Sequence, residues 1–467
     1  MPCIISKNEL ISVVGGRSIT SSSRIIASGV VTDSREIRGG ELFIALPGEM
    51  RHGHAFVQEA FDRGASLLLV ETEEHFPGID SERCVVVPST LVALGQLASW
   101  WRQNHPIPVL GITGSVGKTT TKELCAAILL AHSQGTYSRK SYNNHVGVPL
   151  SLLSISEESE WAVIEMGMNH AGEISALTAM AKPTVAVVSA IAPAHIENLG
   201  SLENIVRAKL EIAEGLSEGG PLIINGDSEL LVSIARELVP HHPQLAFGHG
   251  EDAHLRVLAI AGRGIEGISV AIEWAGERPE PFSVPIMGKH NGMNVAASIL
   301  ATKTLIPALS WDTIRRGLAR FTPPDMRLRR YPTSSGMQVI DDSYNANPES
   351  MRALLAIARE TAEQGREVGL VLGDMLELGD ISEDAHREIG RLAAEMNPLF
   401  IVAVGPRSEI LAEEAARCGA SVTWCRSAGE ATASVLGMGC DVLFVKASRG
   451  TGLDAVVRAV VGPLAES

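Results

Sequence analysis

Residues 109–120 read Val-Leu-Gly-Ile-Thr-Gly-Ser-Val-Gly-Lys-Thr-Thr: an apolar run, a glycine-bearing turn, then a helix-forming segment. Such a turn points backbone N–H groups inward, and the helix N-terminus adds partial positive charge. The stretch Gly114, Ser115, Val116, Gly117, Lys118, Thr119 and Thr120 therefore reads as a cradle for phosphate oxygens. Lys118 is placed to reach the β- and γ-phosphates of a nucleotide, and the Thr119 hydroxyl to ligate Mg²⁺. The longer form of this loop carries a glycine where Ile112 stands, so the chain fits a shorter form, Gly114-x-x-Gly117-Lys118-Thr119. The plain alternative is a glycine-rich turn ahead of a helix. A nucleotide loop alone does not choose among kinases, GTPases, motors and ligases.

Three more residues narrow the choice. Glu165 closes the apolar run Trp161-Ala-Val-Ile164. Open α/β sheets place ligands at the carboxyl ends of their strands, and a carboxylate oxygen suits a hard cation; a carboxylate that merely ends a strand is the other reading. His195 follows the apolar run Thr184–Ile191, and a lone histidine is as readily structural as functional. Lys209 lies in a segment expected to be helical from Leu202 to Leu216. Its neighbours three and four positions away are Ile205, Val206, Ile212 and Ala213, so it falls in the middle of the apolar stripe. An ammonium there snorkels to water or has its charge chemically altered.

The elements that must position these groups follow from the apolar periodicity. At roughly 150 residues per domain, 467 residues make about three domains. Residues 1–105 hold short strand-like runs (Glu41–Leu46, Ser66–Val70) and a helix near Leu91–Trp101. His105-Pro-Ile-Pro108 is a breaker-rich linker. From 106 to 323, apolar runs at Val109–Thr113, Trp161–Ile164 and Thr184–Ile191 alternate with helices from Lys118, after Gly172 and from Leu202. That alternation predicts a parallel sheet covered by helices. Residues 253–287 read as antiparallel β, and a helix starts near Asn291. After Thr322-Pro-Pro324, residues 324–467 alternate again, with strands at Gln338–Ile340, Val368–Leu372, Phe400–Val404 and Val442–Val445. This third block is Rossmann-like in pattern but opens with no GxGxxG, so no dinucleotide site is expected there. The fold class is α/β in three domains: a small α/β N-terminal domain, a central P-loop NTPase-like domain with a parallel sheet, and a C-terminal Rossmann-like domain.

Composition excludes several partners. The net charge of −15 gives no bulk attraction to nucleic acid or anionic lipid, and aromatics at 4% supply few base-stacking platforms. Six scattered cysteines form no CxxC pair and read as reduced thiols. No leader pattern opens the chain, and no apolar run approaches the length of a membrane span. The expected protein is cytoplasmic, monomeric, and free of nucleic acid and membrane insertion.

Taken together, Thr113–Thr120, Asn143-Asn-x-x-Gly-x-Pro149, Glu165-Met-Gly167, Ala194-His195, Ala208-Lys209, Gly288-Lys-His-Asn-x-x-Asn294, Arg327, Asp341-Asp-Ser-Tyr-Asn-Ala-Asn-Pro348 and Lys446-Ala-Ser-Arg449 resemble the Mur ligases, in family order over nearly the whole chain. The stretches Glu165–His170, Asp341–Pro348 and Leu372–Gly379 are most similar to the branch that adds a dipeptide. The resemblance implies an ATP-dependent carboxylate–amine ligase of peptidoglycan precursor synthesis, with Mg²⁺, joining D-alanyl-D-alanine to UDP-N-acetylmuramoyl-tripeptide. A phosphoryl group would pass from ATP to the tripeptide carboxylate, the dipeptide amine would attack the acyl phosphate, and the tetrahedral intermediate would lose phosphate. Lys118, Glu165, His195 and Lys209 would be catalytic. Thr119 and Glu165 would serve one cation, His195 and Lys209, as its carbamate, a second. Asn291 would contact adenine, Asp342 the ribose and Arg327 the phosphates. Ser34, Arg35, Asn143, Asn144, Tyr344, Asn345, Lys446 and Arg449 would contact the substrates. Within Asn345–Pro348, Asn347 also reads as a helix N-cap with Pro348 at the first helical position. Ala447 departs from a common glycine and Ala171 from a common proline. The rival readings are a sister ligase that adds one amino acid, a folylpolyglutamate-synthase-type ligase, a P-loop kinase or NTPase, and a non-catalytic binding protein.

Overall fold

The computed structural model describes residues 3–18, 25–48, 52–72, 78–192 and 199–462. The chain separates into two compact units, one drawn from residues 1–257, 273–277 and 293–317, the other from 258–272, 278–292 and 318–467.

The first unit contains a five-stranded sheet in the order Arg17–Ser18, Cys84–Val86, Leu67–Val70, Leu42–Ile44, Val30–Val31, parallel except for its first strand. A second, parallel run of strands is ordered Gln244–Gly248, Leu222–Asn225, Val185–Val188, Val109–Thr113, Ala162–Glu165, Thr136–Tyr137. The strands Val109–Thr113, Ala162–Glu165 and Val185–Val188 are buried throughout, as strands covered on both faces must be. The helix Thr90–Asn104 seals one side: Leu94, Leu97 and Trp101 share a core with Val109, Leu153 and Leu177. Arg102, at its end, donates to the carbonyls of Ala181 (2.8 Å), His105 (2.6 Å) and Ile107 (3.1 Å). The proline-rich stretch after that helix is thus tied down by one buried guanidinium.

Two expectations need correction. The helix at Leu202 ends at Leu210 and tightens to a 3₁₀ turn over Glu211–Gly215. That turn lies against the helix Glu173–Ala181, where a Cβ on Gly215 would fall 2.3 Å from the Thr178 carbonyl oxygen and the Thr178 hydroxyl donates to the Ile212 carbonyl. Residues 253–287 are not all antiparallel. Ile268–Trp274 and Phe282–Val284 pair antiparallel, but Leu255–Gly262 starts parallel to Gln244–Gly248 through Phe247–Leu255 and Gly248–Arg256. The start of one strand meets the end of the other, so the short connection 249–254 suffices where a fully overlapped parallel pair needs a long crossover.

The second unit is built on a six-stranded sheet ordered Arg329–Pro332, Gln338–Asp342, Val442–Lys446, Val368–Gly373, Phe400–Val404, Val422–Cys425, with only the first strand antiparallel. Alternate residues feed separate cores on its two faces: Ile340, Leu370 and Phe444 on one, Val339, Val371 and Val445 on the other. Each fully buried side chain of this size contributes about 1.5–3 kcal/mol.

Candidate active site

Parallel register collects the first group of residues. Ile112 pairs with Glu165, and Thr113 with Val188. Gly114, Glu165 and Ser189 therefore stand together at the carboxyl ends of three neighbouring strands. The loop that follows Thr113 is threaded tightly. Gly114 has φ +143°, and a Cβ there would fall 2.2 Å from the Ser189 Oγ; Gly117 has φ +82°, and its Cβ would fall 2.3 Å from the Asn294 Oδ1. Both positions exclude a side chain by sterics as well as by backbone angle. Ser189 donates to the Val116 carbonyl at 2.7 Å, and the Ser115 N–H to the Ala190 carbonyl at 2.7 Å.

The helix Lys118–Leu130 begins on Gly117 with no side-chain cap. Helices at Thr90, Leu202, Glu229, Pro348 and Ala428 are each capped by the preceding Ser or Asn, a contribution of about 1 kcal/mol each. The helix Glu173–Ala181 also starts on a glycine, but the Glu211 carboxylate accepts from Gly172 N (2.7 Å) and Ser175 N (3.1 Å). At Gly117 no carboxylate plays that part, which is what an anion-binding helix end requires. Lys118 folds back so that Nζ donates to the carbonyls of Gly114 (2.7 Å) and Ser115 (3.2 Å). Val116 is exposed at the loop tip, and Thr120 is half-buried.

Glu165 is wholly buried. Its Oε1 accepts from Thr119 Oγ1 (3.1 Å) and Asn143 Nδ2 (2.8 Å). Its Oε2 is buried and, among the described residues, has no hydrogen-bond partner; Lys122 Nζ lies at 3.9 Å. A buried carboxylate oxygen with no donor is costly unless a cation meets it, and oxygen donors on Thr119 and Glu165 are what a hard divalent ion takes. The two residues therefore fit one Mg²⁺.

Lys209 is buried with Ile205, Val206, Ile212 and Ala213. Burial pushes its ammonium down to about 7, with the positive charge of Lys118 acting the same way and Glu211 and Glu173 opposing. A large fraction is then neutral amine at neutral pH. An amine is no partner for a hard cation, and among the described residues no three His, Cys, Asp or Glu side chains are gathered as a metal cage. A carbamate on Lys209 would offer a cation the anionic oxygens that the amine lacks. His195 lies outside the described residues.

Sequence reasoning passed over Lys122, Ser189 and Arg139, and named Asn294 only within the motif that ends on it. Lys122 carried a weaker form of the signal that singled out Lys209: of its helical neighbours Lys118, Thr119, Cys125 and Ala126, two are charged or polar, and the last three are buried. Ser189 and Arg139 had no pattern, because each acts through a fold-made contact.

A cavity of about 830 Å³ in the first unit is bordered by Ser34, Arg35, Glu59, Tyr137, Arg139 and Tyr142, among others. Ser34 donates to Glu59, and Arg35 lies bidentate on Asp33 (2.6 and 2.9 Å). Asn144 is held locally, its Oδ1 accepting from the Val146 and Gly147 N–H groups.

The second unit holds the remaining candidates. Asp342 and Lys446 stand on neighbouring strands in direct register and pair at 2.5 Å, while Lys446 also donates to the Asn345 carbonyl. The two residues expected to meet separate ligands thus neutralise each other. Arg327 stacks on the exposed Tyr344 ring at 4.4 Å. Asn291 donates to the Met287 carbonyl. Arg449 faces Asp454 at 3.4 Å. Asn347 caps the helix Pro348–Glu363 with Pro348 at its start, as read from the sequence.

Three family descriptions match the chain in succession: "Mur ligase family, catalytic domain" over residues 27–101, "Mur ligase middle domain" over 112–302 and "Mur ligase, glutamate ligase domain" over 326–449. UDP-N-acetylmuramoyl-tripeptide–D-alanyl-D-alanine ligase of Bacillus subtilis (strain 168) is 34% identical over 460 residues, covering 97% of this chain and 98% of its own. The enzyme of the same name from Escherichia coli (strain K12) is 33% identical over 87% of each. Among solved structures, MurF from Acinetobacter baumannii superposes with TM-score 0.88 at 30% identity, covering 99% and 100% of the two chains. MurF ligase from Thermotoga maritima in complex with ADP gives TM-score 0.74 at 25% identity, covering 92% and 96%.

Proposed function

This chain belongs to the Mur ligase family, and we propose that it uses ATP to join D-alanyl-D-alanine to UDP-N-acetylmuramoyl-tripeptide in peptidoglycan precursor synthesis. The observation that carries this reading is the convergence at the carboxyl ends of neighbouring strands: an uncapped, glycine-threaded helix start with Lys118, and a buried Glu165 whose Oε2 lacks a donor. Joining two molecules through a phosphorylated carboxylate brings a triphosphate and a carboxylate together, and the chemistry is mostly positioning and charge neutralisation.

In this reading the backbone from Gly114 to Thr120 holds the ATP phosphates, and Lys118 leaves its carbonyl partners for their oxygens. Thr119 and Glu165 hold one Mg²⁺, which would neutralise charge as the phosphoryl group moves. Lys209, part neutral at physiological pH, takes up carbon dioxide: its nitrogen lone pair bonds the carbon, a proton leaves to solvent, and the resulting carbamate supplies anionic oxygens for a second cation, with His195 as co-ligand. Asn143, bonded to Glu165, ties the substrate-facing turn to the cation site. The UDP-linked substrate occupies the cavity beside Ser34 and Arg35. Asn144 lies on the same turn as Asn143. Asn291, Arg327 and Asp342 contact the nucleotide, and Tyr344, Asn345, Lys446 and Arg449 the substrates; for Asp342 and Lys446 this requires their mutual pair to open. The division of labour follows residues 1–105 for the UDP substrate, 106–323 for ATP and 324–467 for the acceptor. The enzyme acts as a monomer in the cytoplasm; no helix among the described residues is long and apolar enough to cross a membrane.

One assay tests the reading. With ATP, Mg²⁺ and UDP-N-acetylmuramoyl-tripeptide supplied, phosphate release should depend on D-alanyl-D-alanine and not on lysine or diaminopimelate, and Lys118→Ala should abolish it. Release driven by a single amino acid would assign the chain to a sister reaction, and nucleotide hydrolysis without amide formation would remove it from ligases altogether.

A further inference from the structure

Lys122 lies one helical turn beyond Lys118 and is wholly buried. Its ammonium reaches the Ser138 carbonyl (2.7 Å), the Lys140 carbonyl (2.6 Å) and Glu123 Oε1 (2.8 Å). Those three partners use all three N–H donors, so the more distant Glu165 Oε2 receives charge but no hydrogen bond. The two carbonyls flank a single residue, Arg139. The backbone there is bent: Lys140 has φ +49°, in the left-handed region that non-glycine residues enter at a cost. The buried ammonium holds that bend from the inside.

Arg139 borders the 830 Å³ cavity. So does Arg35, but its guanidinium is committed to Asp33. Among the described residues the Arg139 guanidinium has no hydrogen bond or ion pair; the residue's carbonyl accepts from the Tyr142 N–H (3.1 Å), and its charge acts on Tyr137. The other charged residues that border the cavity are Asp33, Glu36 and Glu59. Among the described residues its uncommitted cation is therefore the one whose backbone is clamped from the helix Lys118–Leu130. A planar guanidinium suits an oxyanion, whether phosphate or carboxylate.

We propose that Arg139 binds an anionic group of the UDP-linked substrate, and that Lys122 is the positioning residue that aims it by pinning the carbonyls on either side. The proposal rests on the substrate assigned above. It makes the helix that opens at the phosphate loop also the support of an arm in the substrate cavity.

The test is a double-mutant cycle on the full chain, read by calorimetric binding without turnover. Lys122→Met and Arg139→Ala should each weaken UDP-N-acetylmuramoyl-tripeptide binding about tenfold, and the double variant should lose about the same factor rather than their product, because one residue acts through the other. Parallel titrations with UDP alone locate the anion: the same loss for UDP assigns Arg139 to the diphosphate, and no loss for UDP assigns it to the peptide carboxylates. In steady state, Lys122→Met should raise KM for the UDP substrate and leave kcat at saturation within about twofold. Additive losses, unchanged binding in Arg139→Ala, or a fall in kcat with KM constant would overturn the proposal. Should Lys122→Met fail to fold, Lys140→Val, whose branched side chain disfavours the left-handed backbone, disturbs the same bend with no buried change. It should weaken binding in the native background and not beside Arg139→Ala, and an equal effect in both backgrounds would also overturn it. A native chain that binds Mg²⁺–ADP but no UDP-tripeptide would sink the functional reading and this inference with it.

Discussion

Of the helices in the first unit that bury a lysine, Lys118–Leu130 and Leu202–Leu210 resolve the cost differently. On the helix Lys118–Leu130, Lys122 is surrounded by acceptors: two carbonyls, the Glu123 carboxylate and, farther off, Glu165. On the helix Leu202–Leu210, Lys209 is packed among aliphatic side chains, and desolvation brings it down to about 7. A buried lysine that finds oxygen acceptors becomes a fastener. Lys209, which finds none among the described residues, loses its proton more readily and becomes an amine, which is a reagent. The two contexts differ already in sequence, since the neighbours of Lys209 three and four positions away are all apolar while those of Lys122 include Lys118 and Thr119; the fold adds whether a neighbouring strand and turn present oxygens.

The comparison breaks most visibly at Lys209. Lys209→Met should cost at least about a hundredfold in ligase activity, the scale of losing one precise electrostatic contact at a reacting centre. Mass spectra of the native chain held in bicarbonate should carry one carbon dioxide on Lys209 and none on Lys122. An unmodified Lys209 in a fully active enzyme would erase the distinction. Next comes Glu165→Gln, which keeps the shape but removes the charge facing both Lys122 and the cation. The Mg²⁺ concentration for half-maximal rate should rise about 10- to 100-fold, as for other losses around a metal; an unchanged Mg²⁺ requirement would detach Glu165 from the cation.

Lys122→Met should act mainly on stability. It leaves the Ser138 and Lys140 carbonyls without their donor, a cost of about 2–3 kcal/mol read from denaturant unfolding. Lys209→Met, by contrast, should leave stability unchanged or raise it, since an aliphatic chain suits its surroundings. Equal losses at both sites would show that the two helices treat their lysines alike.

The smallest effect sharpens the rule in the second unit. His386 is buried with both ring nitrogens engaged, Nε2 with the Met375 N–H and Nδ1 with the Ser382 carbonyl. Desolvation lowers it from the ordinary histidine value, so the folded state holds it neutral. A group lowered on folding stabilises fully above its unfolded value, near 6.5, and that stability is lost as pH falls through the folded value. Thermal unfolding midpoints should therefore drop between pH 6.5 and 5 in the native chain, and His386→Gln should flatten part of that drop. Parallel pH curves for the two proteins would show that His386 titrates normally.

Much of the fold was legible because periodicity is local. The strands Val109–Thr113 and Phe400–Val404 and the starts of helices at Lys118, Leu202 and Asn291 fall where apolar patterning placed them. The edge strands Arg329–Pro332 and Val422–Cys425 were not legible, since half-exposed edges carry weak patterns. Of the site, Gly114, Gly117, Lys118 and Thr119 could be named because the chemistry lies within one short segment. Ser189 and Asn294, which fill the space beside the two glycines, come from segments about 75 and 177 residues away from Gly114 and Gly117, and only strand order and helix packing bring them there.

By itself, then, the sequence determined the glycine-threaded loop before Lys118, the carboxylate Glu165 at a strand end and the apolar setting of Lys209, because residue type and helical or strand spacing decide those matters within a few positions. Only the tertiary structure decided the partners. The register of parallel strands set Glu165 beside the loop Gly114–Thr119, a turn at Ser138–Lys140 supplied Lys122 with acceptors, and among the described residues aliphatic packing surrounds Lys209. A buried charge takes its character from the oxygens within about 3 Å of it, and those arrive from segments distant in the chain.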